Sequence, residues 1–352
     1  MDSTVEQRLT RIRRAGAQAI GGGIRCGSVT EALTRVVGVQ AQDVQAAALG
    51  LRARIGGLSA DDVWRATGQE RTAVRGWFMR GTLQLVPAGD ARWLLALLGP
   101  VFRKQSERRL RELAVDPQLC ARAERLIGEA LAAEGPLTRE ELTERLAGIG
   151  VPAKGQAAFH LIRYGALSGQ LCHGPDRNGR ATFVPLDAWL PQDGPLPWQG
   201  EAAVVELARR YRAGYGPATA QDFATWSGLT LSMAKRAWPY VPDRDHDDVA
   251  GLGTEAEVPD VRLLPAYDNY LTAYRGRELS VPTAHERQVW PGGGQLRPTV
   301  VVDGWAVGTW NLAARGTEVR VSPFAELSGA VRDGIAKESA DIARFGKFVT
   351  GQ

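Results

Sequence analysis

The stretch from Leu137 to Pro185, LTREELTERLAGIGVPAKGQAAFHLIRYGALSGQLCHGPDRNGRATFVP, carries the clearest architectural signal in the chain. Thr138 and Glu141 have the spacing of a capping box, which begins a helix. A second helix is predicted over roughly 155–167, which is rich in apolar residues. Two short strands flank the polar turn Gly-Pro-Asp-Arg-Asn-Gly and predict a hairpin. Helix, turn, helix and hairpin in this order are the layout of a winged helix.

Two helices joined by a turn are predicted in two further parts of the chain. Residues 220–235, AQDFATWSGLTLSMAK, predict two helices joined by a short turn that contains Gly228, which is helix-turn-helix spacing. In the N-terminal part, two predicted helices precede a hairpin over residues 73–86. We therefore expect three tandem helix-turn-helix units, although no sequence repeat of fixed period is visible.

The pattern changes to short strands after about residue 255. The predicted strands are Val258–Leu264, Thr299–Val302, Trp305–Trp310 and Glu318–Val321. Asp303-Gly304 is a typical hairpin turn between two of them, and a helix over roughly 325–345 follows. Four aspartates before the strands predict a solvated acidic linker: Asp243, Asp245, Asp247 and Asp248.

These elements predict an α+β protein of three tandem winged-helix units followed by a C-terminal β-barrel-like domain. The first unit, residues 1–115, carries the sequence Gln-Ala-Gln, and the second, residues 116–200, has the hairpin wing. The third helix-turn-helix unit covers 201–256. Residues 257–352 form the β-barrel-like domain with its C-terminal helix.

Composition places the chain among folded proteins, since 44% of its 352 residues are hydrophobic and 23% are charged. Lys and Arg number 43 against 39 Asp and Glu, and this net charge of +4 permits a polyanionic partner without requiring one. Nearly all the basic residues are arginine, which holds a phosphate through two parallel hydrogen bonds. The arginine bias suits nucleic acid, and a GC-rich genome would also produce it.

Several classes of protein are disfavoured by the sequence. Cys26, Cys120 and Cys172 lie far apart and form no CxxC pair, which argues against a disulfide framework or a zinc finger. The histidines lack metal-ligand spacing, so we expect no metal and no cofactor. No stretch reaches about 18 apolar residues, and no signal peptide is evident at the N-terminus. We expect a cytoplasmic, nucleoid-associated protein without membrane contact.

Gln40-Ala-Gln42-Asp43 is the segment of greatest chemical interest. On a continuous helix the side chains of residues i and i+2 diverge by about 200°. If the helix ends near Gly38, the two carboxamides can converge on one small polar object. A carboxamide has no useful pKa and cannot act as a general base, but it can orient a water. The alternative is that both glutamines are ordinary exposed residues near a helix end.

Two hairpins carry the candidate DNA-binding residues. The tip of the predicted wing has Arg177, Asn178 and Arg180, which could enter a minor groove or hold phosphates. Arg75 and Arg80 lie in the N-terminal hairpin and could also contact phosphates. For both hairpins the alternative is a plain solvated surface.

Six segments together carry a family resemblance: VVGVQAQD, MRGTLQLVPAGD, LSGQLCHGPDRNGRATFV, YGPATAQDFATWSG, LLPAYDNYLTAYRGRE and RPTVVVDGWAVGTW. They resemble the AlkZ-like (YcaQ-like) winged-helix DNA glycosylases and span about residues 30 to 312. The resemblance implies tandem winged helices followed by a β-barrel domain, in agreement with the layout above. It also implies a catalytic motif of glutamine, one residue, then glutamine or aspartate. Gln40 and Gln42 occupy it in the double-glutamine form, which is similar to the AlkZ type.

One departure from the family pattern is visible. Related sequences commonly have histidine after the RGTL segment, where this chain has Gln84. No role is carried over to this position.

The resemblance implies excision of N7-alkylated purines from double-stranded DNA, including the unhooking of interstrand cross-links. An N7-alkylguanine is cationic and leaves as a neutral base, so it needs only a placed water and electrostatic support for the sugar cation. We predict that Gln40 and Gln42 position this water, with Asp43 as a weaker candidate for support. No lysine lies near them in sequence to form a Schiff base, which favours a monofunctional reaction. The hairpin around Arg177–Arg180 would then hold the minor groove.

A non-catalytic winged-helix DNA-binding protein, either a regulator or a damage sensor, is the alternative function. A sequence-specific regulator is usually a symmetric dimer. No heptad pattern or separate dimerisation segment is evident, which counts against a regulator, and we expect a monomer. The particular adduct, and the choice between general repair and self-resistance to a DNA-alkylating natural product, stay open at this point.

Overall fold

The computed structural model describes residues 3–191, 194–242, 258–313 and 318–346, and it combines helices with small antiparallel sheets. The helices are α1 Ser3–Ala17, α2 Val29–Val36, α3 Val44–Arg52, α4 Ala60–Trp64, α5 Ala88–Glu112, α6 Pro117–Glu134, α7 Arg139–Ala147, α8 Ala157–Leu167, α9 Leu186–Trp189, α10 Gly200–Tyr215, α11 Ala220–Ser227, α12 Leu231–Ala237, α13 Asn269–Thr272, α14 Glu286–Val289 and α15 Gly329–Phe345. The strands are β1 Val39–Gln40, β2 Ala73–Trp77, β3 Leu83–Pro87, β4 Leu137–Thr138, β5 Leu171–His173, β6 Thr182–Pro185, β7 Val261–Leu264, β8 Thr299–Val302, β9 Trp305–Leu312 and β10 Val319–Pro323. The mixed class expected from the sequence is confirmed. The predicted acidic linker, Asp243 to Asp248, lies outside the described residues.

The chain divides into two compact units. Among the described residues, the first unit combines the chain up to Val63 with the part that begins at Val205, and the second runs from Trp64 to Val204. The first unit has an apolar core in which Ile20 and Ala53 pack with Leu264 and Val301. The two ends of the chain therefore share a core, whereas the sequence patterns suggested four consecutive segments. Local patterns do not report such pairing of distant segments.

The second unit contains the two helices and the hairpin predicted over residues 137–185. The Thr138 side chain accepts a hydrogen bond from Glu141 N, and the Glu141 carboxylate accepts one from Thr138 N, so the capping box forms at the start of α7. The helix α8 follows, and β5 and β6 pair in antiparallel register with His173 opposite Phe183. The short strand β4 pairs with the other edge of β6 and completes a three-stranded sheet. The order predicted for residues 137–185 is confirmed.

The hairpin predicted in the N-terminal part and the two helices predicted around Gly228 also form. In the second unit, β2 and β3 pair antiparallel, with Arg75 opposite Leu85. In the first unit, Thr219 caps α11, Gly228 ends it with a left-handed φ of 78°, and Thr230 caps α12. A short 3-10 turn, Trp238–Tyr240, follows α12. No hairpin wing occurs in the described part of this third segment, which ends at residue 242.

The C-terminal strands form an open antiparallel sheet of order β10-β9-β8-β7, and no closed barrel occurs in the described residues. The free edge of β7 is covered by side chains rather than by another strand. Leu263 N donates to the Glu338 carboxylate of α15 at 3.0 Å, and Arg52 donates to Leu263 O at 3.2 Å. Because these polar groups satisfy the edge of β7, the sheet ends there. The expected β-barrel-like closure is therefore corrected to an open sheet.

The hairpin turn of this sheet is as predicted, and its first strand and the final helix begin a few residues later than predicted. Asp303 and Gly304 have φ values of 48° and 77°, which fit the predicted hairpin turn between β8 and β9. The first strand begins at Val261 rather than Val258. The final helix begins at Gly329 rather than near 325, because Ser328 is its N-cap and accepts a hydrogen bond from Val331 N.

Candidate functional site

A sharp turn places the first predicted glutamine outside any helix. Ser28 caps α2, which ends at Val36, and Val37 and Gly38 follow with φ values of 54° and 103°. The backbone then becomes extended at Val39–Gln40. The helix therefore ends near Gly38, as the convergence of the glutamines requires.

The structure brings the two predicted glutamines together. Gln40 Nε2 donates a hydrogen bond to Gln42 Oε1 at 2.6 Å. Gln40 is half-buried and Gln42 is exposed, so the pair presents uncharged polar atoms at the protein surface. Two coupled carboxamides offer both donors and acceptors, which are the groups needed to orient a water. Their catalytic role stays a prediction.

Asp43 has a structural task at the start of the next helix. Its Oδ1 accepts a hydrogen bond from Ala46 N at 3.0 Å, and it is the N-cap of α3. A carboxylate at this position interacts favourably with the helix dipole. Asp43 therefore serves as a helix cap, and its catalytic support stays a prediction.

A buried ion pair supports the helix that follows the glutamines. Arg54 donates to both carboxylate oxygens of Asp268, at 2.8 and 2.9 Å, and the two side chains are 0% and 1% exposed. Burial alone would lower the pKa of Arg54, but the charge and hydrogen bonds of Asp268 outweigh it and raise that pKa. Sequence reasoning missed this pair because its members are more than 200 positions apart.

Arg75 and Arg180 line one cavity of about 470 Å³ in the second unit. The cavity also contains Glu140 and Arg139, an arginine that the sequence patterns did not single out. The residues that line it are Arg75, Trp77, Leu83, Arg139, Glu140, Phe159, His173, Arg180, Ala181 and Phe183. Three guanidinium groups against one carboxylate give this cavity a net positive charge.

Aromatic rings form the wall of this cationic cavity. Trp77 stacks on Phe183 with ring centroids 6.3 Å apart, and His173 lies 4.6 Å from Phe183. Burial and the nearby Arg75 lower the pKa of His173 well below its ordinary value, so this imidazole is neutral near pH 7. The positive charge of the cavity therefore comes from its arginines.

The two arginines at the tip of the wing make different contacts. Arg177 and Arg180 exchange backbone hydrogen bonds of 2.8 and 3.0 Å around Asn178 and Gly179, whose φ values of 52° and 71° make the tight turn. The Arg177 guanidinium forms an ion pair with Glu141 at the start of α7. Arg180 instead lines the cavity.

Arg80 and Gln84 lie in or near the N-terminal hairpin. Arg80 is half-buried in the connecting turn, with a left-handed φ of 57°, and it is not among the cavity residues. Gln84 is buried, and its Nε2 donates to Thr82 Oγ1 at 2.8 Å. The position where related sequences commonly have histidine thus has a structural hydrogen bond.

Neither a metal cluster nor a membrane span occurs among the residues that the structure describes. No group of three or more His, Cys, Asp or Glu side chains in this part of the chain is arranged to hold a metal ion. None of the described helices is both long and apolar enough to span a bilayer.

Two helices followed by a hairpin with exposed arginines are an arrangement found in nucleic-acid-binding proteins. The family model for AlkZ-like DNA glycosylases matches residues 33–345, which is most of the chain. This chain belongs to the AlkZ-like DNA glycosylase family and is a DNA glycosylase.

Two comparisons with known proteins agree with this family. A relative from Streptomyces sahachiroi, described as an interstrand DNA cross-link repair glycosylase, is 27% identical in a match that covers 90% of each chain. The solved structure of the DNA glycosylase AlkZ from the same organism matches with a TM-score of 0.76 and 24% identity, over 96% of each chain. The structural match supports the fold.

Proposed function

We propose that this protein removes N7-alkylated purines, including bulky adducts and interstrand cross-links, by monofunctional hydrolysis of the N-glycosidic bond. The family membership and the cross-link repair activity named for the Streptomyces relative support this proposal. The hydrogen bond between Gln40 and Gln42 is the single observation that carries it, because it couples two uncharged amides at one exposed place.

Alkylation at N7 explains why two uncharged carboxamides can be sufficient for this reaction. The substituted base carries a positive charge and departs as a neutral molecule, so no general acid is required at the leaving group. The enzyme then has to hold a water and stabilise the developing positive charge on the sugar, which carbonyl oxygens can do. We infer that Gln40 and Gln42 position this water. An unmodified base would leave as an anion, so such a site would act poorly on normal DNA.

DNA binding is assigned to the cationic surfaces of the hairpins. We infer that Arg75, Arg139 and Arg180 hold phosphates in the second unit, because a guanidinium group binds phosphate bidentately. Arg177, Asn178 and Arg80 stay candidates at the hairpin tips. We further propose three tandem winged-helix-type units, a monomeric enzyme that acts on the nucleoid, and a role in self-resistance to a DNA-alkylating natural product.

The test uses duplex DNA with one N7-alkylguanine and measures base release under single-turnover conditions. The double variant Gln40→Ala/Gln42→Ala should lose at least about 100-fold in rate, the order expected when groups that stabilise a transition state are removed. Its dissociation constant for the same duplex should stay within about twofold, since no charge changes. Gln7→Ala, an exposed glutamine on α1, is the control and should keep the full rate.

A second measurement defines the substrate. Duplexes with N7-methyl, nitrogen-mustard and bulky natural-product adducts are assayed for abasic sites. Release from at least one of them is expected. If the double variant still releases base, the glutamine assignment is wrong; if wild type releases none while binding duplex DNA tightly, the non-catalytic DNA-binding alternative replaces it.

A further inference from the structure

Two buried side chains hold the turn immediately before Gln40. The Tyr215 hydroxyl donates a hydrogen bond to Val36 O at 2.6 Å. Asn269 Nδ2 donates to Gly38 O at 2.7 Å and to the Tyr215 hydroxyl oxygen at 2.6 Å. The last carbonyls of a helix have no partner inside that helix, so donors from elsewhere in the first unit fix where this helix ends and how the chain leaves it.

The conformation of this turn needs such external support. Val37 is β-branched and has a φ of 54°, a left-handed conformation that is rare and strained for such a residue. A strained residue persists only where the surrounding structure over-determines it. The hydrogen bonds of Tyr215 and Asn269 bracket Val37 at Val36 and Gly38.

Close packing of two helices brings Tyr215 within reach. Gly214 lies so near the end of α2 that a Cβ atom added to it would be 2.1 Å from Arg35 O. Such a distance cannot be accommodated without a backbone shift, so glycine is required here. Gly214 therefore allows Tyr215 to reach the carbonyl of Val36.

The residue before Asn269 holds the other end of the same segment. Asp268 forms the buried ion pair with Arg54, just beyond the end of α3. Asp268 and Asn269 thus secure a segment that runs from the end of α2 to the end of α3 and contains Gln40 and Gln42. A rigid frame of this kind maintains the geometry of functional side chains such as those of Gln40 and Gln42.

We propose that Tyr215 and Asn269 are positioning residues for the Gln40–Gln42 pair. This inference rests on the proposed function. They act on the reaction by fixing the turn at Val36–Gly38, so that Gln40 leaves it at the angle required to contact Gln42. Neither residue is assigned a contact with DNA or with the reacting water.

Tyr211 provides a closely matched control for Tyr215. Both tyrosines are 0% exposed, their rings stack 4.9 Å apart, and each hydroxyl donates to a backbone carbonyl. The carbonyl that accepts from Tyr211 belongs to Ala273, outside the glutamine segment. Tyr211→Phe and Tyr215→Phe therefore remove the same group from the same aromatic cluster, but only the second releases the turn before Gln40.

The experiment measures the single-turnover rate of base release, the dissociation constant for the duplex and the melting temperature. We expect Tyr215→Phe to lower the rate about tenfold at saturating enzyme, as a small misplacement of catalytic groups does, with unchanged DNA affinity. Tyr211→Phe should stay within about twofold of wild type in rate. Asn269→Ser, which shortens the donor, should follow Tyr215→Phe and serves as the second variant.

Equal rates for Tyr211→Phe and Tyr215→Phe at similar melting temperatures, or an unimpaired Asn269→Ser, would overturn the proposal. That result would leave the proposed function intact as long as Gln40→Ala/Gln42→Ala is inactive. If this glutamine double variant is fully active, the glutamine assignment fails and the positioning role of Tyr215 and Asn269 fails with it. If wild type releases no base from any adduct, the proposed function itself fails. The two failures are therefore distinguishable.

Discussion

The glutamine pair of the first unit and the wing of the second unit differ in charge and in the bonds that hold them. Gln40 and Gln42 are uncharged, and the ends of their segment are fixed by buried groups such as the Arg54–Asp268 ion pair. The wing is cationic, and its tip is held by the more exposed pair Arg177–Glu141. Buried hydrogen bonds fix geometry, whereas exposed arginines remain available to solvent and phosphate.

Because of this difference, we expect the glutamine pair to determine the rate of base release and the wing to determine the affinity for DNA. A neutral, rigid site contributes little to binding a polyanion but can stabilise a transition state through fixed dipoles. A cationic wing binds the phosphate backbone whatever the base, and it does so in a salt-dependent way. Variants in the first region should therefore change the chemical step or the fold, and variants in the second should change DNA affinity.

The largest expected effect is on stability in the glutamine region. Asp268→Ala leaves the Arg54 guanidinium buried without its carboxylate and should cost about 3–5 kcal/mol of unfolding free energy in urea denaturation. Arg177→Ala removes an exposed ion pair and should cost only a small fraction of that. Comparable losses in the two variants would contradict the distinction between a buried and an exposed framework.

The second-largest effect should be on DNA affinity, and only in variants of the cationic cavity. Arg139→Gln/Arg180→Gln removes two cationic side chains of the cavity and should weaken binding of any duplex, damaged or not. The slope of log affinity against log salt, measured by fluorescence anisotropy, should become shallower by about 0.9 for each phosphate that the protein no longer neutralises.

Arg320→Gln serves as the control for these cavity variants. Arg320 is an exposed arginine on β10 of the first unit, and its substitution should keep the slope unchanged. An unchanged slope in the cavity double variant would remove these arginines from the DNA-binding surface.

The smallest effect is a pH dependence of the ion pair between Arg177 at the wing tip and Glu141 of α7. The backbone N–H of Thr138 and the guanidinium of Arg177 lower the pKa of Glu141 from 4.5 to about 2. A carboxylate whose pKa is lowered on folding stabilises the protein above its unfolded pKa, and this contribution is lost as the pH falls toward the folded pKa.

Glu141→Gln keeps a helix-capping side chain but removes the charge. Its melting temperature should lie slightly below wild type above pH 5, and the gap should close between about pH 4.5 and 2. A gap independent of pH would show that the ion pair with Arg177 contributes nothing.

Local structure was predictable wherever it depends on neighbouring residues. The capping box at Thr138, the short turn at Gly228 and the turn at Asp303-Gly304 all form as expected, because caps and tight turns are set within a few positions. The convergence of Gln40 and Gln42 could be predicted only on the condition that the helix ends near Gly38, because spacing alone did not exclude two ordinary exposed residues.

Features that depend on distant contacts were missed. At the edge of β7, Glu338 and Arg52 bond to Leu263, and no strand pattern could show that side chains and not another strand contact this residue. The same holds for Arg54 and Asp268, which only the folded chain brings together. Arg139 was overlooked because the folded chain, and not the local sequence, brings it beside Arg180 of the wing in one cavity.

The central claim is that uncharged carboxamides, and not a carboxylate, perform the chemistry. Asp43→Asn tests it most directly, because asparagine is as good an N-cap as aspartate and only the charge is lost. The measurement is single-turnover release of an N7-alkylguanine by Asp43→Asn and by Gln42→Ala under identical conditions. We predict that Asp43→Asn stays within about threefold of wild type and that Gln42→Ala loses at least about 100-fold. The reverse outcome, an inactive Asp43→Asn beside an active Gln42→Ala, would contradict the account.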